Sequence, residues 1–277
     1  MKIIDTHLHL VDQHRFSYPW LGNAPALNRN WSAENYFAEA SRLGIEQALH
    51  MEVDVADEHM LAETEAMLQA TPRIAGAIAA ARPEQAGFAQ HLERLAVLSG
   101  VKGVRRILHT VPDELSRSSL FAENVRRLPE SGFTFDLCLR ADQLTPIGTE
   151  LVDKAPEVQF ILDHCGVPDI AGGAFEIWRD GITSIAQRPN VVVKLSGIVA
   201  YCAPDWTVQT LRPYFDHIVQ SFGFDRMVWG SDHPVCTTTA TLTRWVVATN
   251  ALLTDAGETE RSAVLHRNAQ RIYRLNT

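Results

Sequence analysis

Eight short β-rich runs alternate with amphipathic helical stretches, and this alternation restricts the possible folds more than any other feature of the chain. The runs cover residues 3–10, 47–53, 74–79, 101–108, 133–139, 158–163, 191–195 and 226–229. Strands that alternate with helices form parallel sheets, and eight such units can close into a barrel. Because no stretch rich in Pro, Gly or Ser divides the sequence, we expect an α/β protein with a single (β/α)8 TIM barrel over residues 1–277. A doubly wound open sheet is the alternative, but no Gly-rich phosphate loop follows the first run.

Local signals mark the ends of several helices and one long connection. Ser32 can cap a helix that stops before Gly44. Pro83 suits the first turn of a helix that ends before Gly100. Residues 11–30 are too long and too aromatic for a tight βα turn, so we expect them to form a lid over the barrel mouth.

The charge and the cysteine content indicate what the chain binds and where it acts. The formal net charge is −8 and no block of like charges occurs, which argues against nucleic acid or an anionic membrane as the main partner. The four cysteines are widely spaced without a C-x-x-C pair, as expected of reduced thiols in a cytosolic protein. No apolar run is long enough to span a membrane, and the first strand begins too early for a signal peptide. We therefore expect a cytoplasmic protein that acts on a small molecule, while nothing in the sequence indicates an oligomeric state.

The first run carries two histidines two residues apart. In a regular strand, Asp5, His7 and His9 share one face, and Ile4 and Leu8 share the other. Imidazoles at this spacing lie about 6.6 Å apart along a strand, and their rings can converge on one ion or one substrate oxygen. A face of acid and imidazole is costly to bury unless its groups are paired or ligating. We therefore expect a site to lie over this face.

Polar groups recur where seven of the eight runs end, and chemistry in such barrels lies at the carboxyl ends of the strands. A histidine at a single strand end more often makes a structural hydrogen bond than binds a ligand. For seven polar strand ends, however, a purely structural explanation would need seven separate buried pairings, so we favour a functional site. The groups are His7 and His9; His50, Glu52 and Asp54; Arg105, Arg106 and His109; Asp136 and Arg140; Asp163 and His164; Lys194 and Ser196; and Ser231, Asp232 and His233.

Several of these residues admit two interpretations. Lys194 and Asp136 form either a structural ion pair inside the barrel or a part of the substrate site. Arg105 and Arg106 face opposite sides of the fourth strand, and we favour Arg106 as the inward one. Glu52 either satisfies a neighbouring polar group or contacts the substrate.

Eight ordered motifs run through nearly the whole chain. Three of them lie at strand ends: H-x-H at residues 7–9, D-H-x-G at 163–166 and G-S-D-x-P at 230–234. The others are F-x-Y-P-W-L at 16–21, G-V-R-R at 103–106, F-D-L-C-L at 135–139, V-K-L-S-G at 193–197 and L-R-P-Y-x-D-H at 211–217. Together they resemble the amidohydrolase superfamily, and within it the sugar-lactonase branch, which contains L-fuconolactonases, L-rhamnonolactonases and pyrone dicarboxylate lactonases.

The resemblance implies a reaction centre made of His7, His9, His164 and Asp232. Asp232 would be the base that activates water, His164 would be the second catalytic residue, and all four would be candidate metal ligands. Three histidines and a carboxylate suit one divalent ion, above all zinc, with an open position for water. The bridging Lys on strand four and the His on strand five of the two-metal members are missing, so we expect no binuclear centre. Because the branch contains members that work without metal, a metal-independent enzyme is the alternative.

The resemblance also implies substrate contacts, by a looser correspondence of position. Trp20 lies in the segment at residues 16–21, which is similar to that of the aldonolactone members. The expected substrate contacts are Arg106, His109, Asp136, Lys194, Glu52 and Trp20.

These observations predict a hydrolase that opens the ester ring of a sugar lactone, such as L-fuconolactone or L-rhamnonolactone, with water activated by Asp232. A pyrone dicarboxylate is less favoured, because it would need more convergent arginines than the chain supplies. A decarboxylase or isomerase on the same scaffold is a further alternative. A non-catalytic binding protein is a remote one, because none of the four central residues is missing.

Overall fold

Eight parallel strands form one sheet in sequential order in the computed structural model, which describes residues 2–275. The strands are β1 Ile3–Leu8, β2 Ile45–Met51, β3 Ile74–Ala80, β4 Val101–Ile107, β5 Thr134–Cys138, β6 Phe160–Leu162, β7 Val191–Leu195 and β8 Met227–Trp229. The end of β8 lies against β1, since Thr6 Oγ1 donates to the carbonyl of Trp229 (2.8 Å) and Leu8 forms a parallel bridge with His233. The sheet is therefore a nearly closed ring, and the expected (β/α)8 barrel is confirmed.

Helices occupy the connections between the strands. The α-helices are α1 Ala33–Ala40, α2 Met60–Leu68, α3 Phe88–Ala96, α4 Asp113–Arg117, α5 Ser119–Val125, α6 Leu128–Ser131, α7 Glu150–Lys154, α8 Phe175–Ile185, α9 Val208–Phe222, α10 Leu242–Leu252, α11 Glu258–Ser262 and α12 Asn268–Ile272. Among the helices of residues 2–275, none combines the length and the hydropathy that a bilayer crossing needs.

Two helix starts show where local signals succeed and fail. As expected, Ser32 caps α1, because its hydroxyl accepts the backbone N–H of Asn35 (3.2 Å). The helix expected from Pro83 begins only at Phe88. In the loop before it, the carbonyl of Pro83 accepts a hydrogen bond from the side-chain amide of Asn124 (2.9 Å). A contact with a distant segment thus replaces the first helical turn that proline favours locally.

Apolar residues form one layer between the strands and the helices and a second cluster inside the ring. The outer layer includes Val104 of β4 and Trp178 of α8, both fully buried. The inner cluster includes the C-terminal Tyr273 and the strand residues that pack with it, which are Ile4, Leu49, Met51, Ile78, Ile161, Val192 and Val228. The interior is therefore apolar where the C-terminal segment packs into it, and the polar strand ends occupy the remaining part of the barrel.

Candidate active site

The first strand does not keep a regular alternation. Its pairing with β2 shifts register after Asp5. Ile4 packs in the inner cluster and His7 and His9 also face the interior, whereas Asp5 accepts a hydrogen bond from the Tyr36 hydroxyl of α1. The expectation that Asp5 shares a face with the two histidines is wrong, because a register irregularity in the middle of a strand changes which residues face inward.

Backbone hydrogen bonds fix Asp232 beside the first strand. Its N–H donates to the carbonyl of His7 (2.9 Å), and its φ of +56° lies in the left-handed region. Gly230 allows this close approach, since a Cβ at that position would lie 2.7 Å from the Cβ of His7. The closure of the barrel therefore sets the position of Asp232 against His7.

The end of β6 is a run of left-handed residues. His164, Cys165, Gly166 and Val167 have φ values of +53°, +54°, +73° and +47°. Non-glycine residues adopt this conformation at a cost of about 1–2 kcal/mol each, and such strain concentrates at functional sites. The strained turn directs the His164 imidazole toward Ser196, whose hydroxyl lies 3.0 Å from Nδ1.

The structure brings together the four residues expected at the reaction centre. The nearer oxygen of Asp232, Oδ1, lies 3.4 Å from His9 Nε2 and 3.7 Å from His7 Nε2. Its other oxygen, Oδ2, lies 4.0 Å from His164 Nδ1. The rings of His7 and His164 have centroids 4.5 Å apart. Side chains from β1, from the end of β6 and from the end of β8 thus meet at one point.

Burial decides the protonation of the imidazoles. It lowers the pKa of His7 well below its usual value and also lowers the pKa of His164. Both rings are therefore neutral near pH 7. Met51 orients a third imidazole, because its carbonyl oxygen lies 3.0 Å from His9 Nδ1. In the tautomer that donates from Nδ1 to this carbonyl, the Nε2 lone pair of His9 is free for a metal ion.

Arg105, and not Arg106, is the inward residue of β4. Arg105 is 3% exposed, and its Nη1 lies 3.3 Å from His7 Nε2. Arg106 instead pairs with Glu84 on the outer side (2.9 Å). The expectation that Arg106 faces inward is wrong. Residues two apart on a strand share a face, and Val104 faces the apolar layer under the helices, so Arg106 faces outward with it. That pattern in the sequence was sufficient to identify Arg105.

Glu52 holds Arg105 in place and does not line the cavity. Its Oε1 accepts the Nε–H of Arg105 (2.6 Å), and its backbone carbonyl accepts a second donor of the same guanidinium (2.8 Å). Burial would raise the pKa of Glu52, but the charge of Arg105 lowers it below its usual value. The expected direct contact of Glu52 with substrate is therefore replaced by an ion pair that fixes the guanidinium.

Lys194 and Asp136 form a buried ion pair beneath the reaction centre. Of the two interpretations that the sequence allowed, this arrangement matches the structural ion pair. Lys194 Nζ lies 3.2 Å from Asp136 Oδ1 and 2.9 Å from Asp163 Oδ1, and all three side chains are fully buried. Neither Lys194 nor Asp136 lines the cavity, so both lie below the surface that a bound substrate would contact. Burial raises the pKa of Asp136 to about 7. Burial would also raise the pKa of Asp163, but Lys194 and His7 hold it well below its usual range.

A cavity of about 230 Å³ opens over the centre. The segment of residues 11–30 contributes Val11 and Trp20 to the cavity wall. The indole N–H of Trp20 donates to the carbonyl of Val53 (2.7 Å). The lining side chains that carry polar groups are His9, Trp20, Asp54, Arg105, His109, Thr110, Cys138, His164, Tyr201 and Asp232. Of the expected substrate contacts, His109 and Trp20 therefore lie at the cavity.

His109 and Cys138 form a neutral pair in the cavity wall. Cys138 Sγ lies 3.1 Å from His109 Nδ1. Burial lowers the pKa of His109 to about 4 and raises the pKa of the Cys138 thiol. Because a nucleophilic cysteine requires a thiolate, this pair does not have the electrostatics of a Cys-His catalytic dyad.

The donor atoms at the centre fit a single metal ion. His7, His9 and Asp232 each offer an atom within 4.8 Å of the others. Ligands at about 2.05 Å from a tetrahedral zinc lie about 3.3–3.4 Å apart, close to the separations of His9 Nε2 and His7 Nε2 from Asp232 Oδ1, which are 3.4 and 3.7 Å. The Nδ1 atom of His7 faces Asp163 Oδ1 (3.4 Å), an arrangement that orients metal-binding imidazoles. The Arg105 guanidinium beside His7 Nε2 is a fixed positive charge at the same point.

Sequence reasoning assigned no role at the site to four residues: Arg105, Asp163 and Asp54, which it named only as polar strand ends, and Tyr201, which it did not name. Asp163 was visible as the neighbour of His164, and Arg105 through the parity of its strand. Tyr201 reaches the cavity from the connection after β7 and lies 6.3 Å from the His164 ring between centroids. It carries no motif of its own, so its position follows only from the fold.

Comparisons with known proteins extend over the whole chain. A sequence model of the family described as Amidohydrolase matches residues 4–275. An L-fucono-1,5-lactonase of Burkholderia multivorans is 28% identical over 297 residues, with 98% of this chain and 96% of the relative covered. A 4-sulfomuconolactone hydrolase of Rhizobium radiobacter is 26% identical over 236 residues, with 83% of this chain and 75% of the relative covered.

Among solved structures, an amidohydrolase from Burkholderia multivorans with bound zinc superposes with a TM-score of 0.89. It is 23% identical, and the superposition covers 100% of both chains. The similarity at this level of identity supports the shared barrel.

Proposed function

The chain belongs to the amidohydrolase family, and from that premise we propose that it hydrolyses the ester ring of a sugar lactone. The observation that carries the proposal is the meeting of Asp232 with His9 and His164 at the wall of a small cavity, with His7 buried directly behind them. A cavity of about 230 Å³ suits a monocyclic substrate better than a polymer.

Asp232 is the proposed general base. Lactone hydrolysis needs an activated water, a stabilised oxyanion and a proton for the leaving alkoxide. Asp232 is 2% exposed and lines the cavity, so a water at the wall can reach its carboxylate. Asp232 would take a proton from that water as it attacks the carbonyl carbon. It would return the proton to the ring oxygen when the C–O bond breaks, leaving the hydroxy acid.

Arg105 supplies a fixed positive charge for the oxyanion. Burial would lower its pKa, but the charge of Glu52 raises it further above the usual value, so the guanidinium is always protonated. Because its position is fixed by Glu52 in a site of low exposure, it needs no reorganisation during the reaction. The imidazole of His164, fixed by Ser196, lies on another side of the cavity and is the second proposed catalytic residue.

A divalent ion, with zinc the best match to the donors, would be held by His7, His9 and Asp232. When bound, it would supply Lewis-acid polarisation of the carbonyl and lower the pKa of a bound water. The residues around these donors have the same function with or without the ion. Asp163 orients His7, and the carbonyl of Met51 orients His9.

Acid release from a panel of aldonolactones tests the proposal. Purified protein would be incubated with five- and six-membered lactones in weakly buffered solution, with and without a chelator and added zinc. We expect stoichiometric acid formation from at least one lactone. Release of carbon dioxide from a carboxylated substrate, without hydrolysis of any lactone, would instead indicate a decarboxylase on the same scaffold.

A second candidate is hydrolysis of a lactone that carries anionic substituents, such as a pyrone dicarboxylate. The named activity of the Rhizobium radiobacter relative is of this kind, and Arg105 lines the cavity. The same panel should therefore include a lactone with a carboxylate substituent.

A further inference from the structure

Asp54 is a second carboxylate at the cavity wall, separate from the reaction centre. It follows the end of β2, has a φ of +45° and lines the cavity. Its backbone N–H donates to Glu52 Oε2 (2.7 Å), and its Oδ1 accepts from Arg82 (3.3 Å). Within residues 2–275, Oδ2 of Asp54 takes part in none of the hydrogen bonds or ion pairs. The loop is therefore fixed, while one carboxylate oxygen remains available to a ligand.

The charges at the cavity favour an uncharged substrate. Arg105 contributes a guanidinium to the cavity wall, and its Nε already pairs with Oε1 of Glu52 at 2.6 Å. His109 is neutral, since burial lowers its pKa to about 4. Asp54 and Asp232 are both carboxylates. A substrate carboxylate would thus meet two negative groups and one guanidinium that already pairs with Glu52, whereas a hydroxyl would meet an acceptor.

Trp20 and Asp54 are positioned by the same strand end. The indole N–H of Trp20 is held by the carbonyl of Val53, the residue that precedes Asp54. An aromatic side chain beside a carboxylate matches a sugar ring, which has apolar C–H faces and an edge of hydroxyl donors. Hydrogen bonds to an ionised acceptor are stronger than those between neutral groups.

We propose that Asp54 selects neutral, hydroxyl-bearing lactones, by accepting hydrogen bonds from substrate hydroxyls and by repelling lactones that carry a carboxylate. The inference rests on the proposed lactonase function and names the substrate class of the same site. It favours sugar lactones over the anionic lactones of the second candidate.

Asp54→Asn tests the inference with a matched pair of substrates. One is a neutral aldonolactone, and the other is the aldarolactone of the same ring, in which a carboxylate replaces the terminal CH₂OH. Asn tolerates a positive φ and retains an acceptor for Arg82, so the loop should remain folded. We expect kcat/KM for the neutral lactone to fall by about tenfold or more, the effect of one lost charge-assisted hydrogen bond. The preference for the neutral lactone should fall by at least a similar factor, because repulsion of the carboxylate is removed.

Asp57→Asn is the matched control. Asp57 is the other carboxylate on Arg82, with Arg82 Nη2 at 2.9 Å from its Oδ1, but it does not line the cavity. We expect this variant to change kcat/KM for both lactones by less than about twofold. An equal effect of the two variants would mean that Asp54 acts through Arg82 and would overturn the inference.

The outcomes separate the inference from the proposed function. Hydrolysis of the neutral lactone by wild type with an unchanged preference in Asp54→Asn would refute the role of Asp54 alone. A wild-type preference for the aldarolactone would also refute it, while leaving the enzyme a lactonase. Hydrolysis of neither lactone by wild type would refute the proposed function and, with it, this inference.

Discussion

Replacing Lys194 by Met should destabilise the protein strongly, because it leaves two buried carboxylates beneath the reaction centre without their shared cation. Lys194 Nζ lies 2.9 Å from Asp163 and 3.2 Å from Asp136, and all three side chains are fully buried. Burial alone would lower the pKa of Lys194, but the two carboxylates raise it above its usual value. Met retains most of the side-chain volume, so the loss is mainly electrostatic.

The size of the effect follows from the burial of the pair. Removing one partner of a buried ion pair costs about 3–5 kcal/mol, because an uncompensated charge is left in the interior. At roughly 2–4 °C per kcal/mol for a chain of this order of size, Tm should fall by about 6–20 °C. Asp163 retains a weaker partner in Arg105 (3.6 Å), whereas within residues 2–275 the partner that Asp136 retains is the Tyr273 hydroxyl (3.4 Å).

Urea unfolding followed by tryptophan fluorescence measures the free energy of unfolding of each variant. The double variant Lys194→Met/Asp136→Asn should be more stable than Lys194→Met, because it removes the buried carboxylate that loses its cationic partner. Lys154→Met is the control, since Lys154 pairs with Glu150 at 2.7 Å on the exposed surface. Its loss should be about 0.3–0.5 kcal/mol. A Lys194→Met variant within about 1 kcal/mol of wild type, or a double variant no more stable than the single one, would refute the reasoning.

Two further predictions concern the geometry and the pH response of the site. Gly197→Ala should lower kcat by at least about 10², because its Cβ would collide with His164 Nδ1. Gly173→Ala is the control, since it has a similar positive φ but no atom within 4 Å of the added Cβ; an equal loss of activity in both variants would contradict the steric argument. Burial lowers the pKa of His109 from 6.5 to about 4. Between these pH values the unfolded chain therefore binds a proton at His109 that the folded state does not bind. The stabilisation from neutral His109 is complete above pH 6.5 and is lost as pH falls toward 4, by at most about 3 kcal/mol. Chemical unfolding across this range should therefore show a steeper loss in wild type than in His109→Gln, and parallel curves would exclude the effect.

The sequence determined the architecture because periodicity and strand-end chemistry are both local signals. Eight alternating units predicted the barrel, and the H-x-H, D-H-x-G and G-S-D-x-P motifs predicted the family, which the match over residues 4–275 confirms. The choice of His7, His9, His164 and Asp232 came from the family resemblance, and the rule that the carboxyl ends of parallel strands share an edge explains why they can meet.

The failures have a different physical origin, because they depend on contacts between distant segments. The register shift in β1 turns Asp5 away from His7, and the sequence of residues 3–10 contains no pattern that predicts this shift. The loop before α3 is tied to a distant segment, because the carbonyl of Pro83 accepts a hydrogen bond from Asn124. Arg105 is an exception, because the alternation with Val104 already indicated that it faces inward.

The partners of the buried polar residues could not be predicted from the sequence either. Lys194, Asp136 and Glu52 look like substrate ligands in a list of polar residues, yet each has its partner inside the protein. Whether a buried charge contacts substrate or another side chain depends on distances of about 1 Å, which strand spacing alone does not give. The role of Asp54 likewise depends on its distance from Arg82 and on the charges across the cavity.

The most direct test of the account is the turnover number of Asp232→Asn for the aldonolactone that the wild-type protein hydrolyses fastest, measured by acid release. Asn keeps the size of the side chain and tolerates the positive φ at this position, so the variant removes the carboxylate that serves as base and as candidate metal ligand without disturbing the backbone. The account predicts that kcat falls by at least about 10² while Tm stays close to that of wild type. Activity within tenfold of wild type would show that Asp232 is not the group that activates water.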